Sequence, residues 1–118
     1  MSENIVSLEL LTDMAGGDNK FIVEMISLFI KQSDELLLDI EKSILEEDYD
    51  TMKKAIHKLK PSAALFTLNH LINIIADFEL KKVTEISKEE AISVFEEIKK
   101  LLKDACNQLT IEKEKFNC

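Results

Sequence analysis

The sequence has no arginine and no tryptophan, and only one proline, two glycines and two cysteines among 118 residues. So few glycines and prolines leave too few turns for an all-β sandwich or barrel. No apolar run approaches the about 20 residues of a membrane-spanning helix. The N-terminus, Met1-Ser2-Glu3-Asn4, has no basic flank and does not read as a secretory signal. Cys106 and Cys118 stand close together near one end, where a bridge would tie down little of the fold. Reduced thiols and a cytoplasmic setting are therefore expected. Cations are also in deficit: 15 bases, all lysine, face 23 acids, for a formal charge of −8. That balance argues against a general nucleic-acid binder, because affinity for a phosphate backbone comes from cationic surface. The missing arginine itself says nothing about mechanism.

What is present is apolar residue at helical spacing. Apolar residues make up 46% of the chain, enough for one core and one domain over residues 1–118. The spacing predicts a short first helix over about 7–15, stopped by Gly16-Gly17. Asp18 or Asn19 caps a long second helix over 18–46, with Met25, Phe29, Leu36, Ile40 and Ile44 on its inner face. Glu47 to Asp50 is a polar break, and Asp48 or Asp50 opens a third helix over 51–66. Met52, Ala55, Ile56, Leu59, Ala63 and Phe66 keep one phase along it. Thr67-Leu68-Asn69 reads as a tight turn with a capping residue. A fourth helix over 70–82 points Leu71, Ile74, Ile75 and Phe78 inward. Ser87 to Glu90 fits a capping box ahead of a last helix over 88–115. The expected fold is all-α: an up-down-up-down four-helix bundle with the short N-terminal helix as a cover. Such bundles serve many functions, so function has to come from a site.

One segment reverses the charge of the chain. Residues 51–60 hold four lysines and no acid, a local +4, which leaves −12 on the remainder of a chain of net −8. On a helix, Lys53 and Lys54 lie one turn before His57 and Lys60 one turn after it. Leu59, Ala55 and Ile56 face the core, so His57 lies beside the buried stripe on the outer side. Cations this close disfavour imidazolium and favour a neutral, nucleophilic ring that would welcome an anion. Pro61 cannot donate to the His57 carbonyl, and the continuing apolar phase predicts a kink there in preference to a break. Pro61 and Ala64 are compact and leave space beside the ring for a partner surface. If the third and fourth helices form a hairpin about Leu68, His57 and Glu79 lie at one level. A carboxylate there can accept a proton from one imidazole nitrogen and direct the other outward.

These residues resemble a family. The run Ala55-Ile56-His57-Lys58-Leu59-Lys60-Pro61-Ser62-Ala63-Ala64 is similar to the core motif of histidine-containing phosphotransfer (HPt) domains. Gly16 to Met25 resembles that family's entry into its second helix, and Ile75-Ala76-Asp77-Phe78-Glu79 resembles its closing segment. The resemblance covers roughly Leu8 to Leu80. It implies that His57 is the phosphoacceptor through Nε2, that Lys60 helps neutralise the phosphoryl group, and that Glu79 holds the Nδ1 proton. It implies receiver domains of two-component signalling as partners, with the magnesium ion on the receiver and no cofactor bound by this chain. It also implies no kinase activity of its own. The family usually has glycine at the position of Pro61, and often at that of Thr67.

Lys53, Lys54 and Lys58, with Pro61 and Ala64, are the expected partner-facing residues, the lysines supplying a favourable field for an acidic receiver. His70 is assigned no role, and Leu38 lies off the main stripe of its helix. Metal binding is not expected, because neither histidine has a glutamate three residues before it and zinc would lack clustered ligands. No glycine-rich phosphate loop is present. The expected function is a monomeric relay in which His57 takes a phosphoryl group from one receiver aspartate and passes it to another. The rival reading is a non-catalytic helical adaptor of the same fold.

Overall fold

Helical apolar spacing builds each long element, and several of the ends carry their own start or stop signal. The computed structural model describes residues 4–116. Helix α1 (Glu9–Ala15) ends at Gly16, whose φ of 56° is the left-handed C-cap conformation that a residue without Cβ adopts freely. Asp18 accepts from the Phe21 amide at 3.2 Å and opens α2 (Asn19–Leu45). Asp48 opens α3 (Tyr49–His57), accepting from the Thr51 amide at 3.1 Å and the Thr51 hydroxyl at 2.7 Å. Helices α4 (Lys60–Leu65) and α5 (Asn69–Glu79) follow, then a 3₁₀ turn over Val83–Glu85. The Ser87 hydroxyl accepts from the Glu90 amide at 3.1 Å at the start of α6 (Lys88–Phe116). Among the described residues there is no strand, and the fold is an all-α bundle as expected.

Side chains on α2 show the antiparallel order. Phe29 packs on Phe66 with ring centroids 5.0 Å apart, and Ser62 of α4 donates to Gln32 at 2.9 Å. Near the start of α2, Ser27 lies 3.4 Å from Lys113 near the end of α6. The core runs through Ile26, Ile40, Met52, Ile56, Phe66, Ile75, Ile98 and Leu102, all fully buried. Helix α1 covers one end of the bundle through the buried Leu11. Just before it, the Ser7 amide donates to the Phe66 carbonyl at 3.0 Å. Val6, Leu68 and Ile86 also belong to the core, from connecting segments whose burial no helical period marks.

Three local expectations are corrected. The third helix is not one kinked helix over 51–66. Its α-type ladder stops at His57 and resumes at Lys60. The backbone stays right-handed through Lys58 (φ −65°, ψ −17°) and Leu59 (φ −76°, ψ −17°). Pro61 has no amide for the His57 carbonyl, and the chain tightens to i→i−3 bonds, such as Leu59 to Ile56 at 3.0 Å. The fourth helix ends at Glu79 instead of 82, because Lys82 is extended and the chain turns back to bury Ile86. Asn69 does not cap: the cap position is Leu68, which makes no side-chain capping bond, and Thr67 before it has a φ of 54°.

Candidate functional site

The end of α3 and the end of α5 meet side by side, and the site forms at that meeting. The buried Ala55 and Ile56 fix the phase of α3, so His57 emerges on its outer flank. The buried Ile75 and Phe78 fix the phase of α5, so Glu79 emerges toward α3. His57 Nδ1 lies 2.7 Å from Glu79 Oε1. With its proton on Nδ1, the ring donates to the carboxylate, and Nε2 is left as the free lone pair. The His57 side chain is 64% exposed and that of Glu79 29%, so the ring stands in solvent over a half-buried acid.

Glu79 is held at three atoms. Oε1 faces His57. Oε2 lies 3.6 Å from the Lys60 ammonium. The Lys53 ammonium donates to the Glu79 main-chain carbonyl at 3.2 Å, and also to the Lys81 carbonyl. The hydrogen bond from His57 is the largest cause that holds the Glu79 carboxyl below the usual carboxylate range; partial desolvation opposes it, and the Lys60 charge adds to it.

The other expected site residues divide into two groups. Lys53, Lys54 and Lys58 join His57 and Glu79 around a shallow, open depression, with Val83 from the 3₁₀ turn on its rim. Lys54 is paired with Asp50 at 3.1 Å, whereas Lys58 is exposed and makes no ion pair with any of the described residues. Lys60, Pro61 and Ala64 are exposed on α4, past the break and outside that depression. Lys53 is only partly exposed, and its ammonium is turned to backbone carbonyls.

Several contributors are not evident from motif reading. Val83 enters because the chain folds back after Glu79. Lys81 joins the bundle through Glu90 of α6 at 2.5 Å, a contact that raises the lysine pKa chiefly by hydrogen bonding. Hairpin arithmetic about Leu68 carried one turn further would have placed Lys53 level with Val83, just past the end of α5. Leu38 is 67% exposed on α2, and His70 is exposed at the start of α5. Cys106 is a half-buried free thiol whose pKa burial pushes up, the opposite of an activated nucleophile. Cys118 lies outside the described residues. Among them, no three histidine, cysteine or acidic side chains converge on a point that could hold a metal ion. Among the described residues no helix is long and apolar enough to cross a membrane.

Comparison with known proteins adds one finding. The family model described as Hpt domain matches residues 24–110 of the chain. No curated protein and no solved structure matches it significantly.

Proposed function

The chain belongs to the Hpt domain family, and on that premise we propose that His57 is the phosphoacceptor of a phosphorelay. The family's work is phosphotransfer in two-component signalling, and its members interact with receiver domains of response regulators. In our reading, Nε2 of His57 attacks the phosphorus of a receiver aspartyl phosphate. The N–P bond forms as the P–O bond to aspartate breaks, and the aspartate carboxylate leaves. The proton on Nδ1 stays where it is. The ring gains positive charge, and the Glu79 carboxylate faces that charge from 2.7 Å. Lys60 is exposed and one turn from His57, so its ammonium can leave Oε2 of Glu79 for a phosphoryl oxygen. The reverse steps return the group to a second receiver. Magnesium belongs to the receiver in this scheme, and no step runs through an ion on this chain. A monomeric state and a cytoplasmic location belong to the same proposal.

The observation that carries the reading is the exposed imidazole oriented by a half-buried carboxylate on a helical hairpin. Phosphoryl transfer asks chiefly for positioning and charge stabilisation, and this site supplies both. The test is incubation with a phosphorylated receiver and magnesium, followed by a search for acid-labile, base-stable label. Wild type takes label, and a folded His57→Gln variant takes none. Lys60→Ala lowers transfer or retention of the group more than Lys58→Ala does. An unlabelled wild type across every receiver of its source organism leaves the adaptor reading, and label on His57→Gln assigns the wrong residue.

A further inference from the structure

The four carbonyls at the end of a helix lack intrahelical donors and carry its negative dipole end. Helix α5 has no basic residue in its own last turn to meet them. Lys53 of α3 supplies that cation from across the hairpin, donating to the carbonyls of Glu79 and Lys81. Lys53 and His57 are one turn apart on the same helix, and both hold the same glutamate. One fixes its main chain and the other meets its carboxylate. Lys81 is fixed a second time by its own side chain on Glu90. The main chain after Glu79 is thus tied to α3 and α6, at the point where helices ordinarily fray.

We propose that Lys53 is a positioning residue for His57: its ammonium clamps the end of α5 so that the Glu79 carboxylate stays on Nδ1. This rests on the phosphotransfer reading for its consequence, but not for its geometry. A partly buried lysine with two of its three donors on carbonyls has to release them before it can reach a partner, which separates it from the exposed Lys58. Without the clamp the last turn of α5 loosens, and the carboxylate no longer holds one position. The Nδ1–H form of the ring then loses its acceptor. The ring shifts toward the tautomer with its proton on Nε2, the atom that has to be free to attack phosphorus.

The test uses the whole chain with Lys53→Met, and Lys53→Gln as the second variant; either one that retains its helical far-UV signal is decisive. Imidazole ¹⁵N shifts of the free protein report the tautomer without any partner. A receiver that labels the wild type then gives the maximal transfer rate and the receiver affinity separately. The expected result is a smaller Nδ1–H population and a maximal rate lower by roughly tenfold, in the range that small misplacement of a reacting group costs. Receiver affinity stays at the wild-type value. In a Glu79→Ala background the Lys53 change adds no further tautomer shift, because its effect passes through Glu79. A folded variant with the wild-type tautomer and maximal rate overturns the positioning role and leaves phosphotransfer standing. A loss of receiver affinity alone makes Lys53 a docking lysine and overturns it equally. A tautomer shift in a protein whose wild type takes no label keeps the positioning role and removes the phosphotransfer reading.

Discussion

Glu79 answers to three cations or donors on three of its atoms, and two of them, His57 and Lys60, lower the pKa of its carboxyl. The His57 bond is the main cause that keeps its carboxyl below the ordinary carboxylate range in the folded protein. A carboxylate with a depressed native pKa contributes stability above its unfolded pKa, about 4.3 for glutamate, and loses it as pH falls through the lower native value. Glu79→Gln keeps the shape and removes the charge. Urea unfolding midpoints at neutral pH and near pH 3 should therefore fall further for wild type than for Glu79→Gln. An equal fall in both would mean that the His57–Glu79 contact does not couple to folding. The juxtaposition of His57 and Glu79 was legible in the sequence, because hairpin register is a matter of counting from the turn. The use of Lys53 was not, because a lysine in a lysine-rich run reads as a solvated charge unless the open carbonyls opposite it are known.

The helical hairpin that carries the site is irregular at two places, and each irregularity has a chemical cause. Thr67 takes a φ of 54° in the turn between α4 and α5, a conformation that costs a residue bearing a Cβ about 1–2 kcal/mol. Thr67→Gly should raise unfolding stability by about 0.5–1 kcal/mol, the strain relieved less the entropy glycine loses on folding. Denaturant titration measures it, and the site geometry is unchanged because Thr67 touches neither His57 nor Glu79. The second irregularity is the interruption between α3 and α4. Pro61→Ala restores an amide opposite the His57 carbonyl, so the two segments should join. The readout is slow hydrogen exchange of the new amide at position 61, with helical ¹³Cα shifts through Lys58 and Leu59. Fast exchange there would assign the interruption to packing instead of proline. At this scale the sequence marked the place but not the form. Apolar phase continues through Leu59 and Ala63 whether the ladder is bent or broken, and only the hydrogen-bond pattern distinguishes the two.

Across the whole molecule, a formal charge of −8 is set against a local +4 at residues 51–60. Lys54 is paired with Asp50, Lys60 faces Glu79, and Lys53 is committed to the end of α5, which leaves Lys58 as the most available part of that field. Encounter with an acidic receiver should slow as salt rises from about 0.05 M to about 0.5 M, where screening shortens to a few ångström. Rates at saturating receiver should change little, because the imidazole and its carboxylate touch directly. A salt-insensitive encounter would mean that the lysines do not steer. By itself the sequence determined the helical class, the inward faces and the level of His57 against Glu79, and narrowed two of the caps to Asp18 or Asn19 and Asp48 or Asp50. Those follow from local propensity, helical period and the short connection at Leu68, all of which act along the chain. Only the tertiary structure decided that Lys53 serves the α5 terminus, that Val83 borders the site and that α5 stops at Glu79. Each of these depends on where a distant segment returns to bury its apolar residues, and a one-dimensional pattern does not contain that distance.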